Sequence, residues 1–413
     1  MRVGFLHYTG PPIIGGVEQT IAAHARLLAG MGHEITLLVG SGSSDEDGVA
    51  VRHFPRLGSQ HPAVTAVKAK LDRGVVDADF YRLVDEILQD LEQGAGDLEA
   101  LVVHNALSLH KNLALTTALW NRQQTRPWPR LIAWHHDLAW DRPEYASELH
   151  PGEPWDLLRR PCPGAIHVTV SESQRRRLAD LVDVHPDDIR VIPPGVDPPD
   201  FGRWGTVTRR LYDDLGLDRA DLILLLPSRV TRRKSIETGI RITAALREEG
   251  AGDARLLVTG PPGPHNPSNR SYLEELLALS SELGVPDRVH FLGAPAGAPV
   301  APVDDRTIAE LFTLADALLL TSRDEGFGIP ILEAGLARVP VFCSDIPPFR
   351  ESGMDDVTYL GLDLSPQLAA RRILDTLRAD RRFRLRRRVL ETFTWSRLVR
   401  DRVLPLLENR IHG

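Results

Sequence analysis

Residues 317–333 of the chain read ALLLTSRDEGFGIPILE. The apolar run at 317–320 has the length of a buried strand, and the glycines that follow interrupt the apolar pattern. Pro330 suits the first turn of a helix, where its missing N–H costs no hydrogen bond. The stretch therefore predicts a buried strand, a glycine loop and a helix in direct succession, which is the repeating unit of a parallel α/β sheet.

The same order recurs along the rest of the chain. In the first half, helical patterns such as residues 18–31 separate strand candidates at residues 3–6, 34–39, 101–103 and 131–134. After the sequence PPGVDPP at 193–199, the pattern starts again with strand candidates at 222–226, 255–258, 289–292, 317–320 and 339–343. We therefore predict an α/β protein of two Rossmann-like domains, each with a doubly wound parallel sheet.

The length of the chain agrees with two domains. At 413 residues it exceeds the roughly 250–300 residues at which a single hydrophobic core stops growing. We place the first domain at residues 1–200 and the second at residues 205–390. The last apolar-periodic run begins near residue 394 and predicts a final helix with Ser396 as its N-cap.

The composition is that of an ordinary globular protein, with 42% hydrophobic and 25% charged residues. No run approaches the ~20 apolar residues of a membrane-spanning helix, and the apolar start of the chain is too short for a signal peptide. Cys162 and Cys343 are far apart, which predicts neither a disulfide framework nor a zinc site and fits a reducing cytoplasm. The net charge of −7 argues against a nucleic-acid partner and favours a small molecule.

Glycines open the first long helix of the predicted fold. The backbone amides of Gly15 and Gly16 can face a phosphate at the helix N-terminus, where the helix dipole favours an anion. The sequence lacks the GxGxxG pattern of dinucleotide sites, and a glycine pair before a helix is also an ordinary tight turn. This motif alone therefore leaves both interpretations open.

Basic residues follow the strand candidate at 222–226. Ligands of parallel sheets bind at this edge, and Arg229 and Lys234 suit a diphosphate. Only four of the 49 basic residues of the chain are lysines, so the choice of lysine at position 234 carries information. We predict that Arg229 and Lys234 clamp a diphosphate, whereas Arg232 and Arg233 add only solvated charge.

Two carboxylates flank the glycine loop at 326–328. Glu325 starts the loop, and Glu333 lies about two helical turns further along. Carboxylates accept hydrogen bonds from sugar and ribose hydroxyls, and the amides of a glycine loop suit phosphates, so the pattern fits a sugar nucleotide. Paired carboxylates that hydrolyse a glycoside are the alternative, but a glycine loop poorly fits an acid and a base that face each other across a bond.

Together, these motifs resemble the retaining glycosyltransferases of family 4, whose GT-B fold consists of two Rossmann-like domains that face a central cleft. The resemblance covers nearly the whole chain, and it is strongest to members that synthesise mannosylglucosylglycerate-type products. Its matching segments are the GGVE sequence at 15–18, Ser171, the hinge at 192–197, Arg229 with Lys234, the RVHFLG sequence at 288–293, the Glu-x7-Glu sequence at 325–333 and the FTW sequence at 393–395. Pro194 replaces the usual asparagine of the hinge, so any contact of that side chain is lost.

The resemblance assigns roles to these residues. It implies that Gly16, Arg229 and Lys234 hold the diphosphate, that Glu325 binds the hydroxyls of the donor sugar, and that Glu333 binds the ribose. It also implies that the final helix at 394–413 crosses back and completes the first domain, which is the acceptor side. The predicted donor-binding residues are Gly15, Gly16, Arg229, Lys234, Phe291, Leu292, Glu325, Gly326, Phe327, Gly328, Ile329 and Glu333.

The family also has a histidine after a strand of the N-terminal domain, near the transferred sugar. Residues 131–134 lead directly into His135, His136 and Asp137. Both histidines are candidates, and we favour His136, so the predicted catalytic residues are His136, Arg229, Lys234 and Glu325. A metal site is a weaker interpretation because two adjacent histidines do not easily point at one ion.

The function implied is the transfer of a hexose from a nucleoside diphosphate sugar to a hydroxyl of a small polar acceptor, by a front-face mechanism without a metal or further cofactor. GDP-mannose is the preferred donor, with UDP-glucose second. Three alternatives stay open. They are an acceptor linked to a lipid or glycan at a membrane surface, a GT-B sugar-nucleotide enzyme that is not a transferase, and a catalytically silent sugar-binding protein.

Two further segments each allow two interpretations. The long polar loop at 260–269 is either functional or a surface excursion. The arginine-rich run at 381–388 is either a solvated helix face or a contact for anionic lipid.

Overall fold

The computed structural model describes residues 1–12, 15–44, 46–128, 130–263, 268–294 and 303–408. The chain divides into two compact units. The first unit comprises Met1–Val196 and the C-terminal segment from Phe393, and the second comprises Asp197–Thr392.

The first unit contains a seven-stranded parallel sheet with the strand order β3-β2-β1-β4-β5-β6-β7. Its strands are β1 Arg2–His7, β2 Glu34–Val39, β3 Val49–His53, β4 Ala100–His104, β5 Leu131–His135, β6 Ala165–Thr169 and β7 Ile189–Val191. Its helices before the second unit are α1 Gly16–Gly30, α2 Pro62–Leu71, α3 Ala78–Ala95, α4 Leu113–Thr125 and α5 Glu172–Val182.

Helices cover both faces of this sheet, which explains why β4 and β5 are buried along their whole length. On one face, apolar side chains of α2, α3 and α4 pack on the sheet, with Ile87 and Leu119 fully buried. On the other face, Ile21 and Leu28 of α1 pack together with the C-terminal residues Leu398 and Val403.

The second unit contains a six-stranded parallel sheet with the strand order β10-β9-β8-β11-β12-β13. Its strands are β8 Leu222–Leu226, β9 Ala254–Val258, β10 Val289–Phe291, β11 Ala317–Leu320, β12 Val341–Ser344 and β13 Thr358–Leu360. Its helices are α6 Pro198–Phe201, α7 Thr206–Asp214, α8 Ile236–Glu248, α9 Ser268–Glu282, α10 Asp305–Leu314, α11 Ile329–Ala337, α12 Pro347–Gly353, α13 Pro366–Ala379 and α14 Arg381–Thr392.

Here too the sheet is covered on both faces. One apolar cluster joins the sheet to α8, α9 and α13, and the other joins it to α7, α10, α11 and α12. All nine strand candidates overlap observed strands, and Pro330 lies in the first turn of α11 as predicted. The prediction of two doubly wound parallel sheets is therefore confirmed.

The start of the C-terminal helix differs from the prediction. Ser396 is not the N-cap, because it lies inside α15 Trp395–Leu398, and Thr394 precedes the first helical residue. The backbone before the helix pairs with Val196, whose amide donates to the carbonyl of Phe393 at 2.8 Å. The helix therefore begins two residues earlier than a cap at Ser396 would place it. A π-helical turn, Val399–Val403, and α16 Leu404–Glu408 follow, and residues 409–413 of the predicted helix lie outside the described residues.

The arginine-rich run forms α14, and part of its charge is structural. Arg386 bonds to Asp316, whose carboxylate also accepts from the amide of Ile223 at 2.9 Å. Arg387 donates to the carbonyl of Ala220 at 2.8 Å. These contacts attach the helix to the second unit. Across the part of the chain that the structure describes, none of the helices has the length and apolar character needed to span a membrane.

Both sheets reverse their strand order at one place. The reversal lies between β1 and β4 in the first unit and between β8 and β11 in the second. In open parallel sheets, ligands bind beyond the carboxyl ends of the strands at such a switch point. The loops after β1, β4, β8 and β11 are therefore the places to look for a site.

Candidate functional site

The loops after β8 and β11 meet at the switch point of the second unit and bring Lys234 to Glu325. The ammonium of Lys234 forms an ion pair with Oε1 of Glu325, and the two side chains are only 15% and 11% exposed. Arg233 donates to Oε2 of the same carboxylate at 2.9 Å, and Ser322 Oγ donates to Oε1 at 2.7 Å. The structure thus joins two predicted site residues and adds two that were not predicted.

The environment of Glu325 keeps its carboxylate ionised. Burial alone raises the pKa of this carboxyl, but the hydrogen bonds from Lys234, Ser322 and Arg233 and the charge of Lys234 outweigh burial, so its pKa lies below the usual value. A carboxylate offers about four lone-pair positions, and these contacts use three of them. One acceptor position on Oε2 is left, which is enough for a hydrogen bond from a ligand hydroxyl.

Backbone contacts tie the two loops together. Thr321 Oγ1 donates to the carbonyl of Lys234 at 3.0 Å, and the amide of Arg323 donates to the carbonyl of Arg233 at 2.8 Å. Ser235 follows at φ +47° and turns the chain into α8. Because both loops are fixed at several points, the ammonium and the carboxylate are held in place before any ligand binds.

The neighbouring arginines of this loop differ from the prediction in one case. Arg233 does not merely add solvated charge, because it bonds to Glu325 and donates to the carbonyl of Asp324 at 3.1 Å. Arg232 is directed elsewhere, with its guanidinium 2.6 Å from Glu275 and 4.8 Å from the ring centre of Tyr272. The prediction is wrong for Arg233.

Arg229 begins the same loop, and its side chain is exposed. No residue in the described ranges bonds to its guanidinium. The loop after β9 packs closely on its backbone, because a Cβ on Gly260 would lie 2.7 Å from the amide nitrogen of Arg229. Residues 264–267 of the polar loop at 260–269 lie outside the described residues.

The two loop glycines have different reasons for being glycine. Gly328 has φ +108°, and a Cβ there would lie 2.8 Å from the ring of Phe349, so any side chain is excluded. A Cβ on Gly326 would meet nothing within 4 Å. Gly328 is therefore required by the fold, whereas space at Gly326 is available to a ligand.

The other predicted residues of the second unit occupy varied positions. Phe327 and Ile329 are 40% and 62% exposed at the start of α11, and Glu333 is exposed on the same helix. Phe291 is buried in the core, so only its backbone could reach a ligand. The amide of Leu292 already donates to the carbonyl of Val258 at 2.8 Å.

In the first unit, α1 begins at Gly16 after the extended residue Gly15, as predicted. The buried carboxylate of Glu18 folds back onto the helix start, where a Cβ on Gly15 would lie 2.2 Å from its Oε2. Glu18 also accepts a hydrogen bond of 2.5 Å from Thr9 Oγ1. Gly16 is exposed, and a Cβ there would meet nothing within 4 Å.

The two candidate histidines have different surroundings. His135, at the end of β5, is buried, and its Nε2 lies 2.9 Å from Nδ1 of His167, with the rings stacked 5.2 Å apart. His136 is half-buried, and its Nε2 lies 3.0 Å from Nδ1 of His104. Burial, followed by the charge of His7, lowers the pKa of His136 to about 4, so it is neutral at physiological pH. His135 belongs to a core pair, and His136 is the one that a ligand can reach.

Sequence reasoning missed Ser322, Arg233 and His104. Each follows or lies at the end of a strand at a switch point, as Lys234 does, so the signal for them was their position after a strand. Within the described ranges, no group of three or more His, Cys, Asp or Glu side chains is placed to hold a metal ion.

Comparison with known proteins identifies the family. A family model described as Glycosyltransferase Family 4 matches residues 14–199, and one described as Glycosyl transferases group 1 matches residues 209–390. The chain belongs to glycosyltransferase family 4. The predicted resemblance to this family is thereby confirmed, and the two parallel sheets agree with the Rossmann-like domains that it implied.

Among the relatives of this family 4 chain are three proteins, two of which share a name. D-inositol 3-phosphate glycosyltransferase of Stackebrandtia nassauensis is 32% identical over 242 residues, which are 57% of this chain and 52% of that protein. The protein of the same name from Actinosynnema mirum is 33% identical over 195 residues, 47% of this chain and 44% of that protein. The match thus spans about half the length of these relatives. Mannosylglucosylglycerate synthase of Thermotoga maritima is 24% identical over 402 residues, covering 86% of this chain and 87% of that protein.

Proposed function

We propose that this family 4 chain transfers a hexose from a nucleoside diphosphate sugar to a hydroxyl of a small polar acceptor, with the anomeric configuration retained. The observation that carries the proposal is the contact of Lys234 with Glu325 at the switch point of the second unit. Cations that suit a diphosphate and a carboxylate that suits a sugar hydroxyl are adjacent there, as the directly linked sugar and diphosphate of a sugar nucleotide require.

Each residue has a proposed task. Arg229 and Lys234 bind the diphosphate and stabilise the negative charge that grows as it leaves. The last acceptor position of Glu325 receives a donor hydroxyl, and Glu333 receives the ribose hydroxyls. Gly16 offers a backbone amide to phosphate. His136 contacts the reacting sugar as a neutral group.

The reaction proceeds by front-face departure of the nucleoside diphosphate, with attack of the acceptor hydroxyl on the same face. The protein contributes position and charge stabilisation, and no side chain serves as a nucleophile. We assign donor binding to residues 205–390 and acceptor binding to residues 1–200 with the C-terminal helix. The cations of the Arg229–Lys234 loop take the place of a metal ion at the diphosphate, so we propose a metal-independent enzyme of the cytoplasm.

The names of the relatives bear on the substrates. Inositol phosphate and a glycerate glycoside are both small, polar and rich in hydroxyls, and we propose an acceptor of this class. GDP-mannose is the preferred donor and UDP-glucose the second candidate.

The proposal is tested by thermal unfolding of the full chain with UDP, GDP, ADP and their sugars, in excess EDTA. A nucleotide at 100 times its dissociation constant stabilises the folded protein by roughly 2.7 kcal/mol. The nucleotide with the correct base should therefore raise the unfolding temperature clearly more than the other two nucleotides do. A transfer assay with that donor then follows, and it should proceed at the same rate in EDTA. If no nucleotide stabilised the protein, or if activity required added magnesium or manganese, the proposal would be wrong.

Substitution of the loop glycines tests the open space at Gly326. Gly326→Ala should leave the unfolding temperature unchanged and raise the Kd for the donor about 10-fold, because a methyl group would occupy space that we assign to the ligand. Gly328→Ala is the control, and it should destabilise the protein by about 1–3 kcal/mol because its backbone conformation is strained for alanine. Unchanged donor affinity in Gly326→Ala would show that the donor does not bind next to Gly326.

A further inference from the structure

His104 lies at the end of β4 beside His136, and the proposed function gives it no task. It is fully buried, with its ring stacked on Trp134 at 5.5 Å and on Phe5 at 6.1 Å. Nδ1 of His7 lies 3.0 Å from its backbone carbonyl and holds the main chain. Packing on both aromatic rings therefore fixes the plane of the His104 imidazole.

The backbone of His136 is held by other groups. Asn105 Oδ1 accepts hydrogen bonds from the amides of His136 at 2.8 Å and Asp137 at 3.2 Å. Asn105 itself has φ +60°, a conformation that asparagine tolerates better than most residues. Gln174 Nε2 donates to the carbonyl of His136 at 2.6 Å. The contact of His104 with His136 therefore acts on the ring alone.

That contact joins Nδ1 of His104 and Nε2 of His136 at 3.0 Å, so one of these nitrogens carries the shared proton. If Nε2 of His136 were the donor, neutral His104 would carry its proton on its own Nε2, which is buried without a partner. Orphaned N–H groups are rare in protein interiors. If Nδ1 of His104 is the donor, Nε2 of His104 carries only an unpaired lone pair. This second arrangement costs less free energy, because no buried N–H is left without an acceptor.

Both rings are neutral in this arrangement. Burial lowers the pKa of His136 to about 4, and burial together with the charges of His136, His7 and His24 keeps the pKa of His104 well below the usual value. With a proton received at Nε2 as a hydrogen bond, neutral His136 must carry its own proton on Nδ1. No residue of the described ranges bonds to that nitrogen.

We infer that His104 is a positioning residue that holds His136 in the tautomer with its proton on Nδ1. His136 then acts as a neutral hydrogen-bond donor toward a sugar oxygen, and its lone pair is occupied by His104 and unavailable to a base mechanism. The functional part of this inference rests on the proposed role of His136, whereas the tautomer itself does not.

The test uses the full chain with 15N-labelled histidine, in which the signals of His136 are those that vanish in His136→Gln. His104→Asn keeps an N–H on the atom bonded to Cγ, as Nδ1 is, whereas His104→Gln moves the N–H one bond further and His104→Phe removes it. The wild type and His104→Asn should show the Nδ1–H tautomer of His136, and His104→Gln and His104→Phe should show a mixture of tautomers. The kcat should fall about 10-fold in His104→Gln and His104→Phe and recover in His104→Asn, with little change in KM.

Two results would overturn the inference. One is a proton on Nε2 of His136 in the wild type, and the other is an unchanged tautomer in both His104→Gln and His104→Phe. If His104→Phe fails to fold, the contrast between His104→Asn and His104→Gln decides the question. Failure of the proposed function is recognised separately, because the tautomer shift would then occur in a protein that transfers no sugar.

Discussion

Lys234→Ala is expected to lower kcat/KM for sugar transfer by about 100-fold or more. Loss of one charged donor at a developing anion typically costs about 2.7–4 kcal/mol of transition-state stabilisation. Steady-state kinetics with the donor found by thermal unfolding measure the effect. Lys234→Arg should restore activity only in part, because a planar guanidinium does not reproduce the compact ammonium that pairs with Glu325 and that we propose binds the diphosphate.

The same loop supplies graded controls for Lys234. Arg232→Ala should change kcat/KM less than about twofold, because Arg232 is paired with Glu275 away from the site. Arg233→Ala should have an intermediate effect of about 5–10-fold, since it removes one of the hydrogen bonds on Glu325. Equal losses in all three alanine variants would mean that the loop acts through general electrostatics, and the assignment of Lys234 would be wrong.

The sequence predicted strands well where burial is complete. The runs LILLL of β8 and ALLL of β11 are continuous because helices cover both faces of the sheet. Four strands went unpredicted. β3 reads VAVRH and lies half-exposed at the sheet edge, β6 reads AIHVT with the buried His167 in its middle, and β7 and β13 have three residues each. The exposed positions of β3, the histidine of β6 and the few residues of β7 and β13 leave no run of consecutive buried apolar residues such as β8 and β11 have.

Part of the candidate site was predictable, because its residues follow strands that the sequence predicts. The position of a residue after a strand indicates the sheet edge, and this located Lys234 and Glu325, whereas His136 came from the family resemblance. It does not indicate which strands are neighbours. Lys234 and Glu325 are 91 positions apart and meet only because β8 pairs with β11. Ser322 and His104 also follow or end a strand, but their contacts with Glu325 and His136 become visible only once this strand order is known.

Glu325→Ala is expected to have the largest effect of all, with kcat/KM reduced by about 1,000-fold or more while the protein stays folded. The substitution removes a charged acceptor for a donor hydroxyl, which is worth about 1.5–3 kcal/mol. It also releases Lys234 from its ion pair, which holds the ammonium in the position that we propose for diphosphate binding. Circular dichroism should show an intact fold, because Glu325 lies in a loop outside the apolar clusters.

Asp324→Ala is the matched control for Glu325, since it removes the neighbouring carboxylate, which is exposed, and should leave kcat/KM nearly unchanged. The double variant Lys234→Ala with Glu325→Ala then separates two explanations. If Glu325 acts partly by holding Lys234, the two substitutions are coupled, because the residues are in contact. The fold-reduction of kcat/KM in the double variant should then be much smaller than the product of the fold-reductions in the two single variants. Strict additivity would show that the carboxylate and the ammonium serve the donor independently. A Glu325→Ala enzyme that still turned over and saturated normally with the donor would remove Glu325 from the site altogether.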